Sequence, residues 1–195
     1  MSDQPLNTLL TQIRQCRQCA NQLPHSPRPV IVATPSARLL IVGQAPGKKV
    51  HDSGIPWNDA SGRRLRQWLD MDEATFYDSQ RVAIMPMGLC YPGKGCSGDL
   101  PPRTECAPLW HEPVLAQLPN IELTLLIGQY AQRYYLRDQH QTLTARIESL
   151  QAQITLPRQF PLPHPSPRNQ LWFKRHPWFE QQLIPRLQQR IQELL

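Results

Sequence analysis

"RLLIVGQAPG", residues 38–47, decides how this chain folds. A short apolar run ends in Gly43 and a Gly/Pro turn follows, which predicts a buried parallel strand over 38–43. Working outward, "RVAIMPMG" (81–88) and "ELTLLIG" (122–128) repeat the pattern, and "QITLPRQFPLPH" (153–164) reads as a fourth strand interrupted by prolines. Helices are expected between and around them. One covers 5–20, with Leu6, Leu9, Leu10 and Ile13 at helical spacing, and a Pro-rich connector (23–37) follows it. A second covers 62–71, with Leu65, Trp68 and Leu69 on one face and Asp59 or Ser61 as its cap. A third covers 128–139, and a terminal helix runs over 177–195, where Pro185 bends it or starts its second part. Strands alternating with helices predict a three-layer α/β/α sandwich with a mostly parallel central sheet, in one domain spanning 1–195.

With 195 residues, such a domain buries roughly 70% of its unfolded surface and needs no disulfide framework. Lys plus Arg number 21 against 15 Asp plus Glu, and this charge of +6 favours a polyanionic partner such as nucleic acid. There is no apolar run of about 18 residues for a membrane span. The N-terminus "MSDQPLNTLL" lacks the charged-then-apolar layout of a signal peptide, so a cytoplasmic protein without a membrane partner is expected.

Five cysteines in a reducing compartment are not expected to form structural disulfides. Cys16 and Cys19 make a C-x2-C pair at the end of the first helix. Cys90, Cys96 and Cys106 lie in "LCYPGKGCSGDLPPRTEC", a Gly/Pro-rich loop that can fold back on itself. Four thiolates gathered from these two places would suit zinc or a [4Fe–4S] cluster; the alternative is that they are small buried hydrophobes.

In a parallel sheet the ligand site lies outside the carboxyl ends of the strands. "GQAPG" (43–47) follows the first strand, "MGLCYPG" the second and "HPSPRN" (164–169) the fourth, so one crevice can collect all three. Gly43 and Gly47 allow close approach of backbone to a ligand, although a plain tight turn would use them too. Lys48 follows, but without the spacing of a Walker loop. Trp57, stiffened by Pro56, offers a plane beside that cradle, as a flipped base requires, or else a core residue. His164 is held between Pro163 and Pro165 and can donate a hydrogen bond to charge on a leaving group, or serve structurally. Ser166 and Asn169 complete a polar cluster with Arg168, which can meet phosphate, wedge into a base stack or stay in solvent. Lys174, Arg175, His176 and Trp178 add a mixture compatible with nucleic-acid backbone contact.

"GQAPG", "GIPW" and "HPSPRN" together resemble the motifs of the uracil-DNA glycosylase superfamily. The cysteines resemble those of its iron–sulfur members, often called family 4: C-x2-C, then two cysteines sixteen apart, here Cys90 and Cys106. "HPSPRN" is closer to the single-strand-selective monofunctional uracil glycosylases. The resemblance implies a glycosylase fold and hydrolysis of the N-glycosidic bond of uracil or a related damaged base in DNA, by a monomer. It implies that His164 stabilises the departing base anion, that Arg168 fills the gap left by the flipped nucleotide, and that Trp57 stacks on the base. Gln44, Ala45 and the rest of GQAPG, with Pro46, would line the pocket. Cys16, Cys19, Cys90 and Cys106 would hold a structural [4Fe–4S] cluster, zinc being the alternative.

The chain departs from that pattern at informative places. Ala45 stands where some members carry a water-orienting Asp, and Val50 and His51 stand where related members carry an acidic pair. Asp52 is then the expected water-positioning carboxylate, with Asn58 or Asp59 as substitutes. Pro86 replaces a base-reading Asn, so base reading must come from backbone or elsewhere. No lysine in these motifs offers a Schiff-base nucleophile, which implies a monofunctional enzyme. The other readings are a non-catalytic nucleic-acid-binding member of the same fold and an interaction module built around zinc.

Overall fold

The computed structural model describes residues 5–96, 98–136 and 142–195. Four parallel strands, β1 (Leu39–Val42), β2 (Val82–Ile84), β5 (Leu123–Ile127) and β6 (Gln159–Leu162), form the central sheet in the order β2-β1-β5-β6. A two-residue hairpin, β3 (Lys94–Gly95) with β4 (Gly98–Asp99), stands apart from it. β1 pairs with β2 on one side (Leu39↔Val82) and with β5 on the other (Leu39↔Leu123), so the strand order reverses beside β1.

The period-two alternation of side chains splits the core between two faces. Leu39 and Ile41 of β1, with Leu125, Ile127 and Phe160, pack against α3 (Ala60–Leu69), α7 (Leu143–Ser149), α8 (Gln170–Arg175) and α9 (Ile184–Leu194). Leu40, Val42, Ala83 and Leu126 pack against α1 (Leu6–Arg14), α5 (Cys106–Leu115) and α6 (Gln129–Leu136). With helices on both faces of a parallel sheet, the fold is the three-layer α/β/α sandwich. The shorter α2 (Lys48–Ser53) and α4 (Glu73–Phe76) lie in the β1–β2 connection.

Several boundaries differ from the sequence expectation, each for a local reason. α1 stops at Arg14, where its buried positions Leu6, Leu9, Leu10 and Ile13 end, so Cys16 and Cys19 lie in the turns beyond it. β6 is confined to Gln159–Leu162; it lies at the sheet edge, where Pro161 is tolerated because no outer strand needs its missing N–H. The terminal helix passes through a π-type segment, Phe179–Leu183, before α9 opens with Pro185 in its first turn. The helix expected over 128–139 is seen as Gln129–Leu136, and its last residues lie outside the described residues. α7 had no counterpart in the periodicity reading; Thr142 caps it, its Oγ1 accepting from the Ala145 N–H at 3.1 Å.

Candidate active site

Beyond the carboxyl ends of β1, β2 and β6 the chain encloses a cavity of about 390 Å³, within the range of small-molecule sites. Gly43, Gln44, Ala45, Pro46 and Gly47 line it, as do Trp57, His164, Ser166, Arg168 and Asn169. The segments after the first and last strands thus meet in one crevice.

The Trp57 wall is moulded by its own neighbours. Its φ of 57° is in the left-handed region, uncommon for a bulky residue and typical of functional strain. The Asp59 side chain caps α3, Oδ1 accepting from the Gly62 N–H at 2.8 Å. Gly62 is required here, because a Cβ at this position would collide with the Trp57 carbonyl oxygen. The indole in turn lies against Gly43, where a Cβ would stand 2.8 Å from Cζ2. An aromatic plane is therefore set directly on the GQAPG backbone.

His164 is placed from below and behind. The Asn169 Nδ2 donates to the His164 carbonyl at 2.7 Å, and the Ser166 Oγ accepts from the Arg168 N–H at 3.3 Å at the start of a 3₁₀ turn, Pro167–Asn169. Its ring lies 5.7 Å from the Trp57 ring. The Nδ1 atom is buried and has no partner among the described residues, a costly state that a ligand would relieve. Burial pushes the imidazole below its ordinary range, opposed by the Asp59 charge, so the ring is neutral at pH 7. A neutral imidazole can donate to charge that develops in a transition state, where the bond strengthens most.

Pro86 lines the cavity at the end of β2 and is itself held from behind. The buried His111 reaches its carbonyl through Nε2 at 3.2 Å, while Nδ1 meets the Tyr135 hydroxyl at 2.7 Å. Burial pushes His111 down to about 4. The neutral ring then donates from Nε2 to Pro86 and accepts from Tyr135. Nothing in the sequence pattern singled out this residue.

The carboxylates are arranged differently from the expectation. Asp52 does not line the cavity: it is exposed and accepts from the Lys48 Nζ at 2.5 Å, a bond that holds its carboxyl below the usual range. Asn58 is also exposed and lies outside the lining. Asp59 and Asp99 are the acids of the cavity wall among the described residues. Both converge on Gly47, where a Cβ would stand 3.5 Å from Asp99 Oδ2 and 4.0 Å from Asp59 Oδ2. Arg168 folds back onto the hairpin, its guanidinium lying against Gly98 so closely that a Cβ there would collide with it. Of the C-terminal mixture, Lys174 and Arg175 are exposed, His176 stacks on Trp172 at 4.5 Å, and Trp178 packs against the core.

Cys16, Cys19, Cys90 and Cys106 line a second, much smaller cavity of about 20 Å³, between the turns after α1, the end of the β2 segment and the start of α5. Cys96 is exposed on the hairpin and is not part of it. Burial raises the Cys106 thiol and pushes Cys90 up to about 12. Among the described residues, no three His, Cys, Asp or Glu side chains are grouped to hold a single metal ion.

A strained aromatic, an imidazole and glycine backbone are gathered at the carboxyl ends of a parallel sheet, the place where α/β proteins hold their ligands. The model of the uracil DNA glycosylase superfamily matches residues 30–188, a span that contains every residue of the large cavity. The chain belongs to that superfamily. No helix among the described residues is long and apolar enough to cross a membrane.

Proposed function

We propose that the protein is a monofunctional DNA glycosylase that hydrolyses the N-glycosidic bond of uracil or a related damaged base. The observation that carries this reading is the open Nδ1 of His164, buried in the same cavity as a Trp57 plane fixed on the GQAPG backbone. The flipped base would stack on Trp57, and His164 would stabilise the charge that leaves with it. Gln44 is the side chain of GQAPG able to read a base edge; in the free protein its Nε2 leans on the Leu100 carbonyl at 3.3 Å. Arg168 would swing off Gly98 to fill the gap in the duplex. A non-catalytic nucleic-acid-binding member of the same fold is the second reading, and Ala45, which removes an acid from the first motif, favours it.

The four cysteines fit a [4Fe–4S] cluster, and the likeness to the iron–sulfur members rests on them. They line one cavity, so four thiolates could be offered to one group from the turns after α1, the segment after β2 and the start of α5. The role of the group would be structural, tying the chain after α1 to the start of α5.

The test is incubation of anaerobically purified protein with single- and double-stranded oligonucleotides carrying one uracil, hypoxanthine, xanthine or hydroxymethyluracil. An abasic product from at least one supports the glycosylase and names its base. Binding to all of them without any product would establish the second reading instead.

A further inference from the structure

An N-glycosidic hydrolysis needs a group to orient water as well as one to receive the leaving charge, and the first motif of this chain has no acid to do so. We infer that Asp99, delivered by the β3–β4 hairpin, is the carboxylate that positions the attacking water and takes its proton. The inference rests on the glycosylase reading above.

Three carboxylates lie near the first motif in sequence or space, and their surroundings separate them. Asp52 is outside the cavity and paired with Lys48. Asp59 lines the cavity, but its Oδ1 is committed to the first turn of α3. Asp99 lines the cavity from the opposite segment, with Oδ2 directed at Gly47. Its carboxyl hydrogen-bonds the Tyr91 hydroxyl, and the charges of Arg168 and of Lys94, its partner across the hairpin, act on it in the free protein. Asp99 carries no such cap bond in the first turn of a helix, so both of its oxygens can serve a water, whereas Asp59 has one left. Asp99 is exposed at the rim, but partial burial of its carboxyl and the nearby Asp59 raise its affinity for a proton, with Arg168 opposing, which suits a base. His164, which the glycosylase reading places at the leaving group, lines the same cavity.

The step balances without a further reactant. The bond between C1′ and the base nitrogen breaks, and its electron pair leaves with the base toward His164. The water oxygen bonds to C1′, and one of its protons passes to the Asp99 carboxylate and then to solvent. The base anion takes up a proton from solvent, giving free base and an abasic site.

The experiment is single-turnover base release from an oligonucleotide that the wild type cleaves, with Asp99→Asn, Asp59→Asn and Asp52→Asn compared across pH 4.5–8. Binding of the same oligonucleotide and the thermal melt of each variant are measured alongside. Asp99→Asn is expected to slow the chemical step by about 100- to 1,000-fold with binding and melt retained. The fall in wild-type rate as acid protonates Asp99, tuned by Arg168, Lys94, Asp59 and Tyr91 around it, should vanish in this variant. Formate should restore part of the rate to Asp99→Ala. Wild-type rates in Asp99→Asn, or a loss confined to binding, would overturn the assignment while leaving the glycosylase reading intact. A comparable loss in Asp52→Asn alone would return the role to that residue. Absence of base release by the wild type from every lesion would overturn both.

Discussion

Trp57 shows how much a single residue's place depends on its neighbours. The indole lies on Gly43 and its peptide is pressed against Gly62, so the ring position is set by backbone that has no side chain to yield. Gly62→Ala is accordingly expected to cost about 2–3 kcal/mol, the upper range for overpacking, and to lower the melting temperature by roughly 5–10 °C. A melt indistinguishable from wild type would mean that the strand-to-helix turn is not held as described. The pairing of a strained aromatic with a required glycine was hidden in "WNDASG", because the positive φ belongs to a tryptophan and no propensity rule predicts one there. The Pro-flanked His164 was legible because its preorganisation is local. Asp52 was misplaced for an equally local reason: Val50 is buried against the cavity, and Asp52, two positions on in the same helix, is turned about 200° away.

At the scale of elements, the strands read well where burial on both faces made them continuous apolar runs, as in β1 and β5. Helix ends read less well. α1 carries a clean apolar stripe, and its polar continuation "QCRQCANQ" gives no stop signal such as Gly or Pro. The turns that end it bring Cys16 and Cys19 to Cys90 and Cys106, a tertiary reason that periodicity does not contain. If a cluster ties these segments, the anaerobic protein is brown with absorbance near 400 nm. Cys90→Ser should lose that colour and melt several degrees lower, while Cys96→Ser, on the exposed hairpin, should change neither. A colourless protein with all four cysteines intact would contradict the cluster assignment.

At the scale of the molecule, the parallel sheet does the assembling. Once β1, β2 and β6 run in one direction in the same sheet, with β5 between β1 and β6, segments that leave their carboxyl ends can meet, however far apart they lie in sequence. Two of the three segments expected from the strand pattern, GQAPG and HPSPRN, line the cavity; "MGLCYPG" (87–93) does not, Pro86 before it being the residue after β2 that reaches the wall. The hairpin did not follow, because its strands are two residues long and its seat depends on distant packing, Gly88 against Pro102 and Gly93 against Pro24. Asp99 therefore entered the site only with the structure in hand. The charge of +6 agrees with a polyanionic partner, and Lys174 and Arg175 are exposed in the last turn of α8, the helix that follows the loop carrying His164. The central claim is that this cavity holds an extrahelical base with His164 at its leaving edge. Its most direct test is the single-turnover rate of base release by wild type and His164→Ala on the same oligonucleotide. A fall of about 100-fold or more with binding retained is the result predicted; release at the wild-type rate would contradict it.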